Sequence, residues 1–218
     1  MPLLEFKNVS YTSGDKHILK NLSLAIDRGD FISIVGPSGS GKSTFFRLCS
    51  QLISPTEGTI LYKNIPYNKY DPIEWRRKIA YCFQTPSFFG NTVMDNLKFP
   101  FSVRNKKADL SIIKKLLKDF KMDTEYLSRA VNNLSGGEKQ RIALIRTLIT
   151  GPEILLLDEV TSALDEKNTL IVENVIKSLN GSGITILWIT HNSQQSRKYA
   201  NKILSIENGT LKSLEVIK

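Results

Sequence analysis

Residues 31 to 44 read F-I-S-I-V-G-P-S-G-S-G-K-S-T. Phe31 to Val35 are mostly apolar, as in a strand covered on both faces, and a glycine-rich turn follows at once. An apolar helix is then expected from about Lys42 to Leu52. A buried strand, loop and helix in that order is the unit from which α/β folds are assembled. Within it, Gly36 to Ser43 match G-x-x-x-x-G-K-[ST]. The glycines let backbone N–H groups converge on phosphate oxygens, and the helix start adds partial positive charge. The stretch formed by Gly36, Pro37, Ser38, Gly39, Ser40, Gly41, Lys42, Ser43 and Thr44 is therefore expected to hold a nucleoside triphosphate. Lys42 reaches the β- and γ-phosphates in this reading, and the Ser43 hydroxyl ligates Mg²⁺.

Upstream, Leu3 to Tyr11 and Leu19 to Ile26 read as strands, the second with Leu22, Leu24 and Ile26 alternating. Downstream, Pro55 to Gly58 form a turn before a strand at Thr59 to Tyr62. Beyond about residue 84 the period becomes helical, over 91–98, 108–120 and 136–149. Strands return at Ile154 to Leu157, Ile184 to Thr190 and Ile203 to Glu207. A helix from about Glu166 to Leu179, stopped by Asn180-Gly181, separates the first two. A helical block is thus inserted into an α/β core. The strand Ile154 to Leu157 delivers Asp158 to its carboxyl end, where it can hold Mg²⁺ beside the phosphate loop. Glu159, one residue further, is the candidate general base for water attacking the γ-phosphorus.

At 218 residues, 41% hydrophobic and 23% charged, the chain has ordinary globular proportions. No apolar run reaches the roughly 18 to 20 residues that span a bilayer, and M-P-L-L-E-F-K has no signal-peptide pattern, so a soluble, non-secreted protein is expected. Cys49 and Cys82 sit in apolar segments without thiol or histidine neighbours at ligand spacing, as core residues of a reducing cytoplasm. The net charge of +9 is densest from Arg104 to Lys121. There Ile112, Ile113, Leu116, Leu117 and Phe120 recur at helical spacing, so the lysines read as the wet face of an amphipathic helix. An anionic membrane leaflet is the other partner considered for that face.

Leu134 to Arg141 read L-S-G-G-E-K-Q-R. Ser135 and Glu138 are spaced as a capping box that opens the helix 136–149. A cap needs neither Gly136 nor Gly137, whereas a helix start that brings its N–H groups against a phosphate does. With G-P-S-G-S-G-K-S before it and L-L-L-D-E after it, the octapeptide resembles the signature of ATP-binding cassette (ABC) ATPases. The resemblance spans nearly the whole chain.

It implies one nucleotide-binding domain over residues 1–218, with a P-loop NTPase (RecA-like) α/β core and an N-terminal antiparallel β subdomain. The core would occupy 1–84 and 152–218, and an α-helical subdomain about 85–151. It also implies that Tyr11 stacks on adenine and that Gln84 senses Mg²⁺ and the attacking water. Asp165, in S-A-L-D at 162–165, would speak to a second cassette, and His191 would contact the γ-phosphate. Asn192 departs from the aspartate that often follows that histidine. Two copies would pair head to tail, Ser135, Gly136 and Gly137 of one closing over ATP held by Lys42 of the other.

A chromosome-maintenance or DNA-repair member of the superfamily would carry a long coiled coil between Lys42 and Asp158, for which there is no room. A ribosome-associated member would typically carry two cassettes in tandem. What remains is the ATPase subunit of a membrane transporter, peripheral on the cytoplasmic face beside a separate permease, with no nucleic-acid partner expected. Tyr81 to Asn105, Y-C-F-Q-T-P-S-F-F-G-N-T-V-M-D-N-L-K-F-P-F-S-V-R-N, lies where such subunits meet the permease. It is similar to the ATPase subunits of Fet-type iron exporters and to plant ABC proteins linked to aluminium tolerance. The other reading is an importer or exporter of another small solute, such as amino acids or phosphate. No metal-ligand cluster marks the cargo itself.

Overall fold

A computed structural model describes residues 1–217. In chain order its elements are β1 (Leu4–Ser13), β2 (Lys16–Ile26), β3 (Phe31–Val35), α1 (Lys42–Cys49), β4 (Glu57–Tyr62), β5 (Ile65–Pro66), α2 (Pro72–Lys78) and β6 (Ile79–Cys82). There follow α3 (Val93–Ser102), α4 (Leu110–Asp119), α5 (Gly136–Leu148), β7 (Ile154–Asp158), α6 (Glu166–Gly181), β8 (Thr185–Ile189), α7 (Ser193–Tyr199), β9 (Lys202–Glu207) and β10 (Thr210–Val216). The protein is a mixed α/β fold with two sheets, as the resemblance requires.

The chain divides into two compact units. The first comprises Met1–Tyr81, Pro152–Glu159 and the chain from Asn180 onward. It holds both sheets. One is four-stranded and antiparallel, in the order β2-β1-β4-β5. The other runs β10-β9-β3-β8-β7-β6. In it β3 lies parallel between β8 and β9, β7 is parallel to β8, and β10 turns back antiparallel on β9. Every residue of β7 and β8 is buried, so each reads as a continuous apolar run. Phe6, Leu24, Ile34, Phe45, Phe46, Leu156 and Ile189 share one core, each contributing about 1.5–3 kcal/mol by leaving water. The parallel register brings the carboxyl ends of β3, β7 and β8 to one edge of the sheet, with Asp158 opposite Ile189. Ligands of open α/β sheets bind at such an edge.

The second unit comprises Cys82–Gly151 and Val160–Leu179. α3, α4 and α5 bury Leu97, Ile113, Leu117, Ile142 and Ile145. Arg141 of α5 donates to the Phe120 carbonyl at 3.1 Å, and Arg146 to Asn96 Oδ1 at 3.2 Å. α6 groups with this unit as far as Leu179, although its sequence lies outside the 85–151 block.

Several boundaries differ from the sequence expectation for local reasons. α1 stops at Cys49 rather than Leu52, because the Ser50 hydroxyl turns back on the Phe46 carbonyl at 2.9 Å and Gln51 takes φ of 55°. α3 starts at Val93, set by a capping box between Thr92 and Asp95, and runs on to Ser102 through Pro100. β5, α2, β6, α7 and β10 were not foreseen. Cys49 and Cys82 are both buried free thiols. Among the described residues no helix is long and apolar enough to cross a membrane.

Candidate active site

The phosphate loop leaves β3 at Val35 and enters α1 at Lys42. Three of its glycines take positive φ: Gly36 at 145°, Gly39 at 76° and Gly41 at 104°. At Gly36 a Cβ would sit 2.1 Å from the Ile206 carbonyl oxygen, and at Gly41 2.6 Å from Leu19 Cδ2, so both are required by the fold. Gly39 has nothing within 4 Å of such a Cβ and lies open. The N-terminus of α1 has no side-chain cap, leaving its first N–H groups for an anion. Ser40 Oγ is buried without a hydrogen-bond partner among the described residues. These features fit a bound triphosphate. The Lys42 ammonium donates to the Gly36 and Pro37 carbonyls, each at 2.8 Å. Burial lowers its pKa, against the opposing pull of Glu159 and Asp158. Ser43 is exposed and Thr44 half-buried at the same helix start.

Asp158 closes β7 with 6% of its surface exposed. The Tyr81 hydroxyl donates to its Oδ2 at 2.6 Å. Glu159 follows with φ of 48°, a left-handed conformation that a residue with a β-carbon adopts only under constraint. The constraint is visible: its N–H donates to the Ile189 carbonyl at 3.0 Å, tying it to the end of β8. Just past β8, His191 sets Nε2 at 2.8 Å from Glu159 Oε1. The structure thus brings Lys42, Asp158, Glu159 and His191 to the same sheet edge. Tyr11, on β1, is half-buried and packs against the core.

The remaining expected site residues belong to the second unit. Ser135 and Glu138 form the capping box, Ser135 Oγ accepting from Glu138 N at 3.3 Å and Glu138 Oε2 from Ser135 N at 2.7 Å. The Tyr126 hydroxyl holds the other Glu138 oxygen at 2.6 Å and lowers that carboxyl's pKa. Gly136 is exposed, with nothing within 4 Å of where a Cβ would stand, whereas a Cβ at Gly137 would stand 3.4 Å from Leu164 and Asn168. Asp165 caps α6, accepting from Asn168 N at 2.7 Å and from its side-chain amide at 2.8 Å. Gln84 is exposed between β6 and α3.

Two residues escaped the sequence reading. Tyr81 touches Asp158 across 77 positions of sequence, a pairing no local pattern encodes. Arg146 reaches Asn96 and lies over the rings of Phe88 and Phe89, 5.8 and 5.0 Å from their centroids. Its signal was a cation in the apolar second half of α5, I-A-L-I-R-T-L at 142–148.

The sequence pattern of the family described as ABC transporter matches residues 19–162. The chain is 42% identical over 207 residues to the probable iron export ATP-binding protein FetA of Escherichia coli (strain K12), covering 94% of this chain and 92% of that protein. The chain belongs to the ABC transporter ATPase family. Another relative of this ABC ATPase, ABC transporter I family member 17 of Arabidopsis thaliana, is 38% identical, over 92% of this chain and 76% of its own. Among solved structures, the dimeric post-hydrolysis state of the ATP-binding cassette MJ0796 bound to ADP and Pi superposes with a TM-score of 0.88. Identity there is 32%, and 99% of each chain is covered. A bacterial Atm1-family ABC exporter with ATP bound gives 0.89 at 29% identity, over 99% of this chain and 39% of that one. The ABC family makes this chain an ATP-binding transporter ATPase.

Proposed function

We propose that this ABC ATPase hydrolyses Mg-ATP in a head-to-tail pair of its own copies and thereby drives a separate membrane permease that exports a metal, iron in the first instance. The observation that carries the catalytic part is the Glu159–His191 contact at 2.8 Å, at the sheet edge where Lys42 and Asp158 also meet. Lys42 binds the β- and γ-phosphates. Ser43, Asp158 and Gln84 would hold Mg²⁺, which when bound would offset the charge that builds on the phosphate oxygens. Glu159 accepts the proton of the attacking water, while His191 orients that carboxylate and contacts the γ-phosphate. Tyr11 stacks on the adenine. Ser135, Gly136 and Gly137 of one copy close over the triphosphate held by the other, and Asp165 faces the same junction. Support for pairing is the exposed helix start at Gly136, which nothing within its own chain requires to be glycine. The dimeric structure of the cassette MJ0796 agrees.

Support for metal export is the 42% identity to the FetA ATPase over nearly the full length of both chains. The phosphate import ATP-binding protein PstB of Staphylococcus saprophyticus is 35% identical, which keeps a phosphate or other small-solute transporter as the second reading. On either reading the protein is peripheral on the cytoplasmic face of the membrane.

Glu159→Gln should lower ATP turnover by roughly 10²–10⁴-fold and trap an ATP-bound dimer, seen by size-exclusion chromatography with light scattering. A variant that stays monomeric in saturating Mg-ATP would overturn the pairing. Affinity capture from membranes should recover a polytopic permease; recovery of ribosomes or DNA would sink the transporter reading. Vesicles holding that permease should move iron, and movement of phosphate instead would select the second reading.

A further inference from the structure

We infer that Tyr81 is a positioning residue that fixes the Asp158 carboxylate for the Mg²⁺ of ATP hydrolysis. The inference rests on the assignment of Asp158 as a metal ligand made above. Its basis is geometric. The phenol donates to Asp158 Oδ2 at 2.6 Å, the short distance of a hydrogen bond to an ionised oxygen. Asp158 is buried, and a buried carboxylate is costly unless its oxygens are hydrogen-bonded. The carboxyl torsion of an aspartate is broad and roughly two-fold, so an unheld carboxylate would rotate. Taking one oxygen with a fixed donor leaves the other in one orientation.

The donor is itself fixed. Tyr81 sits in β6, and its ring meets that of Phe46 edge-on, with centroids 5.6 Å apart and planes at 84°. Phe46 is fully buried in α1, the helix that the phosphate loop opens. A chain of rigid contacts therefore runs from that helix through the two rings to the carboxylate. Against an ionised carboxylate oxygen, which carries no proton, the phenol O–H is the donor. Outer partners of this kind orient metal ligands, and their loss typically weakens metal binding by about 10–100-fold.

The test is Tyr81→Phe, which keeps the ring and its contact with Phe46. Mn²⁺ is titrated by electron paramagnetic resonance into the intact protein holding a non-hydrolysable ATP analogue. Y81F should bind Mn²⁺ about 10-fold more weakly or worse, with unchanged affinity for the analogue in EDTA. Half-saturating Mg²⁺ for ATP turnover should rise in parallel, with kcat largely restored at high Mg²⁺. Wild-type Mn²⁺ affinity in Y81F, alongside a clear loss in Asp158→Asn, overturns the role of Tyr81 alone. Wild-type affinity in D158N overturns the metal assignment of Asp158, and the inference with it. Should Y81F be thermally weaker, the Y81F/D158N cycle decides. A residue acting through Asp158 adds no further loss of Mn²⁺ affinity once Asp158 is replaced, and additive losses overturn the proposal.

Discussion

Gly36 and Gly136 belong to different motifs and are glycine for different reasons. Gly36 combines φ of 145° with a carbonyl oxygen that a methyl would meet at 2.1 Å. Gly36→Ala should therefore cost on the order of 1–3 kcal/mol in the free chain, read as a lower urea midpoint. Gly136 has ordinary helical φ and open space around it. Gly136→Ala should leave the free chain as stable as before or up to about 1 kcal/mol more so, while ATP-driven pairing weakens in size-exclusion chromatography. Loss of thermal stability in G136A would show that its own fold needs the glycine. Both positions are legible in the sequence, since each lies in a motif whose chemistry needs close backbone approach. The Tyr81–Asp158 bond was not legible, because proximity created by neighbouring strands leaves no mark on spacing.

Helix starts show how the sequence writes an element. Asp71, Thr92, Asp109, Ser135 and Asn192 each accept a backbone N–H at the start of α2, α3, α4, α5 and α7, whereas α1 has no such cap. α5 and α6 were readable because caps coincide with a long apolar period. α2 and α7 were missed despite their caps, for seven residues complete only two turns and show no period. β6 has four residues, and the second half of β10 is exposed, so alternation could not announce either. The Asn192 departure is explained at this scale. Its Oδ1 accepts Gln195 N at 3.0 Å as the cap of α7, a task aspartate performs equally well. Asn192→Asp should hold stability within roughly 0.5 kcal/mol, while Asn192→Ala should lose about 1 kcal/mol, both measurable by thermal denaturation.

Across the first unit, distant segments are tied at one carboxylate. Glu153 meets Arg28 at 2.9 Å, Lys63 at 2.8 Å and Lys78 at 3.4 Å, partners drawn from the turn before β3, the end of β4 and the end of α2. Burial opposes its ionisation, but the hydrogen bonds from Lys63 and Arg28 outweigh it and pull the pKa from 4.5 to about 2. A depressed carboxyl pKa stabilises the fold above the unfolded value, and that stability drains away as pH falls toward the folded one. Glu153→Gln should therefore destabilise at pH 7 by on the order of 2 kcal/mol, discounted for the exposed cations. The gap from wild type should close between pH 4.5 and about 2. Urea titrations at pH 7, 4 and 3 measure this; a gap constant with pH would show packing rather than charge at work. The sheet order itself was only partly readable, since β3, β7 and β8 stood out as apolar runs but their neighbours are fixed by long-range pairing.

The Lys42 ammonium, gripped by the carbonyls of Gly36 and Pro37, gives the phosphate loop a keystone of its own. A loop whose arch is braced by its own side chain has little disorder to surrender when nucleotide arrives. Capture should then be governed by encounter rather than by refolding, with an association rate that rises in proportion to nucleotide concentration and shows no plateau from a slow ordering step.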